Sequence, residues 1–255
     1  MTLYRMEGVD SQVFNYGTAN AKTVTLSFWI KCSKAGNFQV NFENEQNPDA
    51  GYQTQQTINS ANTWEKKVVT IPGDTSKAFT WTTAKAMCFD IMYSAFGSYA
   101  SGTPSAAWST LSNTQRGGHC NIDLFDSTSN YVRITGVQLE LGDHATDFEH
   151  LPYQVELQRC KRYYQTAAYT TMMGSLAGQV GTPKILFEVE MRAIPSSVTT
   201  EYGGNGNGTF RNQNDGSTLT GNTTFNYYIN GFDCRGNNGS ANIIYSSTYI
   251  AEAEI

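Results

Sequence analysis

His144 and His150 bracket most of the segment Gly142–His150 (GDHATDFEH), with Asp143, Asp147 and Glu149 beside them. By residue type this stretch could bind a metal ion or pass protons. The pattern argues against both, because no i,i+4 helical pair is present and no ligand spacing of a metal site surrounds them. They are read as polar members of a surface loop. His119, after Gly117-Gly118, stands apart. The cysteines Cys32, Cys88, Cys120, Cys160 and Cys234 form neither a zinc pattern nor a CxxC, so they are expected to be free packing residues of a chain that folds in a reducing cytoplasm. There is no GxSxG and no HExxH, and Gly203-Gly204-Asn205-Gly206 lacks the lysine and helix of a phosphate loop. A carboxylate pair for glycoside hydrolysis must face across a cleft, and no short motif places one. The expectation is a chain with no catalytic residues, no metal and no cofactor.

Aromatic residues offer binding chemistry instead. Trp29 falls on the polar side of its segment, and Trp64, Trp81, Trp108, Tyr93 and Tyr99 surround loops. Rings presented this way can stack on sugars, although core or subunit-interface burial is the common fate of such residues. From Gly203 to Ser240 nine Gly and nine Asn occur in 38 residues, with Tyr202, Phe210, Arg211, Tyr227, Tyr228 and Phe232 in or beside them. Small polar residues mixed with aromatics suit adaptable recognition loops, and these six with Trp29 are the candidate ligand-binding residues.

The elements that would carry such loops are strands. Thr occurs 30 times and Leu 11 times, aromatics make up 13% of the chain, and only 15% of residues are charged against ~25% in ordinary domains. Val24, Leu26, Phe28 and Ile30 alternate with polar partners, and similar runs follow at 37–43, 65–71, 87–93 and 131–141. Short strands separated by turn clusters predict an all-β sandwich or jelly roll over residues 1–150. In the last run Val137, Leu139 and Leu141 are expected on one face. After residue 169 strand character returns, with Lys184 to Met191 reading as a strand of a smaller C-terminal β domain (169–255). A net charge of −5 without a basic cluster makes nucleic acid an unsuitable partner. No apolar run reaches the ~18 residues of a membrane span, and the first residues lack the pattern of a secretory signal.

Between the two β regions, residues 151–168 read as a helical neck. Pro152 suits a first helical turn, and Tyr153, Leu157, Cys160 and Tyr164 recur at spacings of four, three and four. A helix this short needs partners, either copies of itself or its own sandwich.

The stretches Asn20–Gly36, Asn59–Ser76, Tyr131–Gln165 and Phe187–Pro195 resemble a family of tailed-bacteriophage fibre proteins; the joined motif from Ile134 (ITGVQLELG) to Tyr164 (ELQRCKRYY) is its most specific part. The resemblance implies a carbohydrate-binding-module-like jelly roll, a helix and a smaller β domain. It further implies a homotrimeric structural virion protein that binds other virion proteins and attaches to a host cell-surface glycan or outer-membrane receptor. Tyr153, Leu157, Cys160 and Tyr164 would then line a threefold neck. Rival expectations are a capsid decoration or head-fibre protein and a depolymerase of capsular polysaccharide.

Overall fold

The computed structural model describes residues 1–47, 50–176, 179–181, 184–203, 209–213, 218–220, 224–235 and 243–253. The protein is all-β apart from short helices, and divides into two compact units, Met1–His150 and Leu151–Glu254. Among the described residues no helix is long and apolar enough to cross a membrane.

In the first unit the order is β1 (Thr2–Glu7), a helical turn α1 (Gly8–Ser11), β2 (Val24–Cys32), β3 (Gly36–Asn44), β4 (Gly51–Ile58), β5 (Glu65–Ile71), β6 (Lys85–Met92) and β7 (Val132–Leu141). Two antiparallel sheets result, with strand orders β1-β6-β3-β4 and β5-β2-β7. Their facing sides make the core: Leu26, Phe28, Ile30, Val69 and Ile71 meet Phe38, Val40, Phe42, Phe89 and Ile91. Phe28 meets Phe38 edge-on at 6.3 Å. Full burial of each such side chain contributes roughly 1.5–3 kcal/mol, so the alternation of the sequence translates directly into the force that joins the sheets.

The expected single face of the last strand is broken by a β-bulge. Thr135 pairs with Trp29 and Gln138 with Ser27, so Gly136 and Val137 together oppose Phe28. Gly136 takes φ +58°, a left-handed conformation that glycine adopts without Cβ strain. Ile134 and Leu139 consequently both reach the core, while Val137 is left 39% exposed.

A long connection, residues 93–131, folds over part of the outer face of the β1-β6-β3-β4 sheet. Buried amides secure it. Gln39 donates to Gln115 O (2.8 Å) and accepts from His119 N (3.0 Å), Asn41 donates to Arg116 O (2.9 Å), and Gln53 accepts from Ser105 N (2.8 Å). These outward strand positions thus supply the hydrogen bonds that the irregular backbone needs.

The second unit begins with α2 (Tyr153–Lys161), followed by β8 (Tyr164–Leu176), β9 (Gln179–Gly181), β10 (Ile185–Leu186), β11 (Ser197–Glu201), β12 (Thr209–Asn212), β13 (Thr218–Thr220), β14 (Thr224–Tyr228), β15 (Gly231–Arg235) and β16 (Ile243–Glu252). Among the described residues β16 is central: β8 pairs with it from Tyr164↔Glu252 to Met173↔Ile243, while β11 and β12 take its other edge. Phe187, Met191, Val198, Phe232, Tyr249 and Ala251 form the core.

Two expectations fail here. The helix stops at Lys161, with Arg162 as C-cap, because the backbone from Tyr164 onward joins the β16 ladder; Tyr164 is a strand residue, not the fourth position of a helical seam. The run Lys184 to Met191 is a strand only at Ile185–Leu186. Beyond it the buried Gln165 side chain replaces a neighbouring strand, accepting from Glu188 N and Val189 N and donating to Val189 O.

Candidate functional site

The outer face of the β1-β6-β3-β4 sheet, where the 93–131 connection leaves it open, forms a cleft of about 620 Å³. Alternation builds it. Leu3 and Arg5 of β1, Cys88, Asp90 and Met92 of β6, and Glu43 of β3 point outward, since Phe89, Ile91, Phe42 and Val40 fill the core side. Ser94, Phe96 and Tyr99 form one wall, and Asn113 and Arg116 another part. Phe96 is 54% and Tyr99 49% exposed, and Phe96 is braced edge-on by Phe125 at 6.1 Å.

The floor is charged and internally paired. Arg116 donates from both terminal nitrogens to Glu43, with Nη2 at 2.7 Å from Oε2, and its Nη1 stands 3.5 Å from Asp90 Oδ2. Asp90, whose side chain is almost wholly buried, also accepts from Asn41 Nδ2 at 2.9 Å. Burial pushes the Asp90 carboxyl up to about 6; the Asn41 amide and Arg116 oppose the rise and Glu43 adds to it. Nearer solvent, Arg5 Nε donates to both oxygens of Glu45 (3.1 and 2.9 Å), and Lys85 Nζ lies 3.4 Å from the same carboxylate. Burial, reinforced by Glu43, Glu45 and Asp90, raises the Cys88 thiol, keeping it protonated and unsuited to nucleophilic work. The arrangement offers charged hydrogen-bonding groups below and two accessible rings above.

Most residues singled out from sequence lie elsewhere. Trp29 is 43% exposed on the outer side of the other sheet. There the segment after β7 returns across the strand: Gln138 accepts from Glu149 N at 2.7 Å, and Glu140 accepts from Thr146 N at 3.1 Å. His150 packs edge-on against Phe148 at 4.9 Å, and His144 contacts Asp143. Among the described residues no group of three or more His, Cys, Asp or Glu is placed to hold a metal ion.

In the second unit Phe232 is fully buried, 5.4 Å from Tyr249 and 6.0 Å from Phe187, so it is a core residue and not a ligand contact. Its position in β15 opposite Tyr227 directs it inward, and Tyr227 packs against the same core. Tyr228 is exposed under Lys184 Nζ (4.4 Å), with its hydroxyl donating to Asp233. Arg211 lies over the Tyr202 ring at 5.8 Å. Phe210 is in β12, and its side chain, like much of the 203–240 segment, lies outside the described residues. Along α2, Tyr153 and Cys160 are exposed and Leu157 is half-buried. Of the described cysteines, Cys32 and Cys88 are buried, Cys120 is half-buried, and Cys160 departs from a packing role. The Cys234 side chain lies outside the described residues.

Tyr99 is the one cleft residue that the sequence marks as a candidate for ring stacking. The signal for the others was the polar half of the strand alternation, Gln39-Asn41-Glu43 and Cys88-Asp90, which carries acids where a plain solvent face would carry exchangeable polar residues. Their arginine partners come from distant segments and leave no local pattern.

No family model and no curated protein matches the chain. Among solved structures it is similar to wild-type discoidin II from Dictyostelium discoideum, at 14% identity over 92% of this chain and 72% of that one, with a TM-score of 0.23. A native structure of recombinant discoidin II matches at 12% identity over 93% and 76% of the respective chains, with the same TM-score.

Proposed function

We propose that this chain is a non-enzymatic structural virion protein of a tailed bacteriophage, a homotrimeric fibre or spike whose jelly-roll domain binds a host surface glycan in the β1-β6-β3-β4 cleft. The phage assignment rests on the fibre-family resemblance of Tyr131–Gln165. The glycan reading rests on the two exposed rings of Phe96 and Tyr99 standing over a floor of paired charges. Aromatic faces pack on the C–H face of a sugar, while charged groups hydrogen-bond its hydroxyls.

Binding fits this floor better than cleavage. Glycosidase carboxylates stand roughly 5 Å or more apart with the space between them free for reaction at the anomeric carbon, whereas Glu43 and Asp90 are both held on the same Arg116 nitrogen. Asp90 is also beneath the surface, out of reach of a substrate. Trimerisation is supported by α2, nine residues with none buried and Tyr153 73% exposed, a helix too short to be stable without packing partners. Three modest sites would then act together through avidity.

Host polysaccharide immobilised on a sensor tests the reading. Wild-type protein should bind, with Phe96→Ala and Tyr99→Ala each weakening monovalent affinity about fivefold to tenfold, the scale of one lost ring contact. Undiminished binding by the double variant would refute the cleft as the site, and release of reducing ends would refute the non-enzymatic reading.

A further inference from the structure

The two arginines of the cleft are used differently. Arg116 has its Nε on Asn113 Oδ1 (3.2 Å) and both terminal nitrogens on Glu43, so its donors are directed into the protein. Arg5 is bound only through Nε, to Glu45, and its two terminal amino groups have no partner among the described residues. Its side chain lines the cleft and is 34% exposed where that of Asp90 is 1% exposed, so Arg5 is the more accessible of the two.

The charges separate in the same direction. Arg5 and Lys85, the latter outside the cleft lining, share Glu45, so Glu45 is matched by two cations. Arg116 shares its charge between Glu43 and Asp90, so the excess negative charge lies on the buried floor. Glu45 holds Arg5 in place without consuming the planar pair of donors that matches a carboxylate. An unpaired guanidinium edge in a cleft that two exposed rings also line is a complementary surface for a carboxylate attached to a pyranose.

We infer that the cleft selects an acidic saccharide, whose carboxylate is received by the free terminal nitrogens of Arg5 while its ring packs against Phe96 and Tyr99. This rests on the glycan reading of the cleft. A uronic acid and a sialic acid present the same group, and separate probes distinguish them.

The test is titration calorimetry of the full chain with three probes: oligogalacturonate, oligosialic acid, and the carboxyl-reduced form of the first. At least one acidic probe should bind roughly tenfold more tightly than the reduced one, a difference of about 1.4 kcal/mol. Arg5→Gln should bring that ratio to near one, and Arg5→Lys, which keeps the charge but loses the planar fork, should fall between. Thermal unfolding of both variants checks that Glu45 still has a folded partner. Equal affinity of wild type for acidic and reduced probes would overturn the inference; if Tyr99→Ala then weakened both, the glycan reading would stand without it. An acidic preference that survived in folded Arg5→Gln would also overturn it. Failure of every probe to bind would overturn it too, and binding of host polysaccharide in the preceding experiment would show that the broader reading survives.

Discussion

Arg116, from the irregular connection after β6, closes on both carboxylate oxygens of Glu43 on β3 and fixes the wall of the cleft to its floor. Removing the guanidinium leaves Glu43 without its cation and beside Asp90. Fully buried pairs lose ~3–5 kcal/mol when one partner is deleted; with Arg116 26% and Glu43 14% exposed, solvent reduces the expected cost of Arg116→Met to about 2 kcal/mol. Urea unfolding at neutral pH measures it, and Arg116→Met with Glu43→Gln should recover part of the loss.

Asp90 gives the cleft a defined pH response. Its carboxyl is held near 6 in the folded protein against an ordinary value of 3.8 by burial, with Glu43, Arg116 and Asn41 around it and the Cys88 thiol in electrostatic reach. The folded state therefore binds this proton more tightly than the unfolded chain. The stabilisation is complete below about 3.8 and is lost as pH rises through 6. Asn imitates the protonated acid, so Asp90→Asn should match wild type near pH 4 and exceed it in stability at pH 7. A pH series of denaturation midpoints reads this; parallel curves would show that Asp90 titrates normally.

Gly136 lets β7 carry two residues against one. An added Cβ would meet Trp29 Cδ1 at an ordinary 3.5 Å, so space is available and the cost is in the backbone at φ +58°. Gly136→Ala should destabilise by about 1 kcal/mol, and Gly136→Asn by less, because asparagine tolerates the left-handed region. Midpoints in urea for the two variants check the order.

These particulars also show which parts of the fold the sequence made legible. The strand β5 spans Glu65–Ile71 just as its alternation indicates, and β2 buries Val24, Leu26, Phe28 and Ile30 together. The strand β4 (GYQTQQTI) is not legible in the sequence because it has no apolar alternation: its Gln53 is buried by a hydrogen bond to a distant loop. Gln165 supplies a strand's hydrogen bonds from one side chain, which periodicity cannot register. The cleft was hidden for a related reason. Arg5, Glu43, Asp90 and Arg116 meet through tertiary pairing, whereas the Gly/Asn-rich aromatic segment draws notice by composition alone.

The helix α2 supplies the prediction about assembly. Leu157 is its one described apolar residue that is half-buried, with Tyr153 and Cys160 exposed beside it. Light scattering at micromolar concentration should give three times 28.1 kDa for the protein and 28.1 kDa for Leu157→Asp, with unchanged circular dichroism. A monomeric wild type would remove the trimer from the account.

The cleft itself can be observed through the methyl groups of Met1, Leu3 and Met92, which line it. In a methionine- and leucine-methyl-labelled sample titrated with oligosaccharide from the host surface, the account predicts saturable shifts of these three signals while Met87, buried on the opposite face of β6, stays fixed. Saturable shifts confined to methyls of the second unit, or none at a concentration where binding is established, would contradict it.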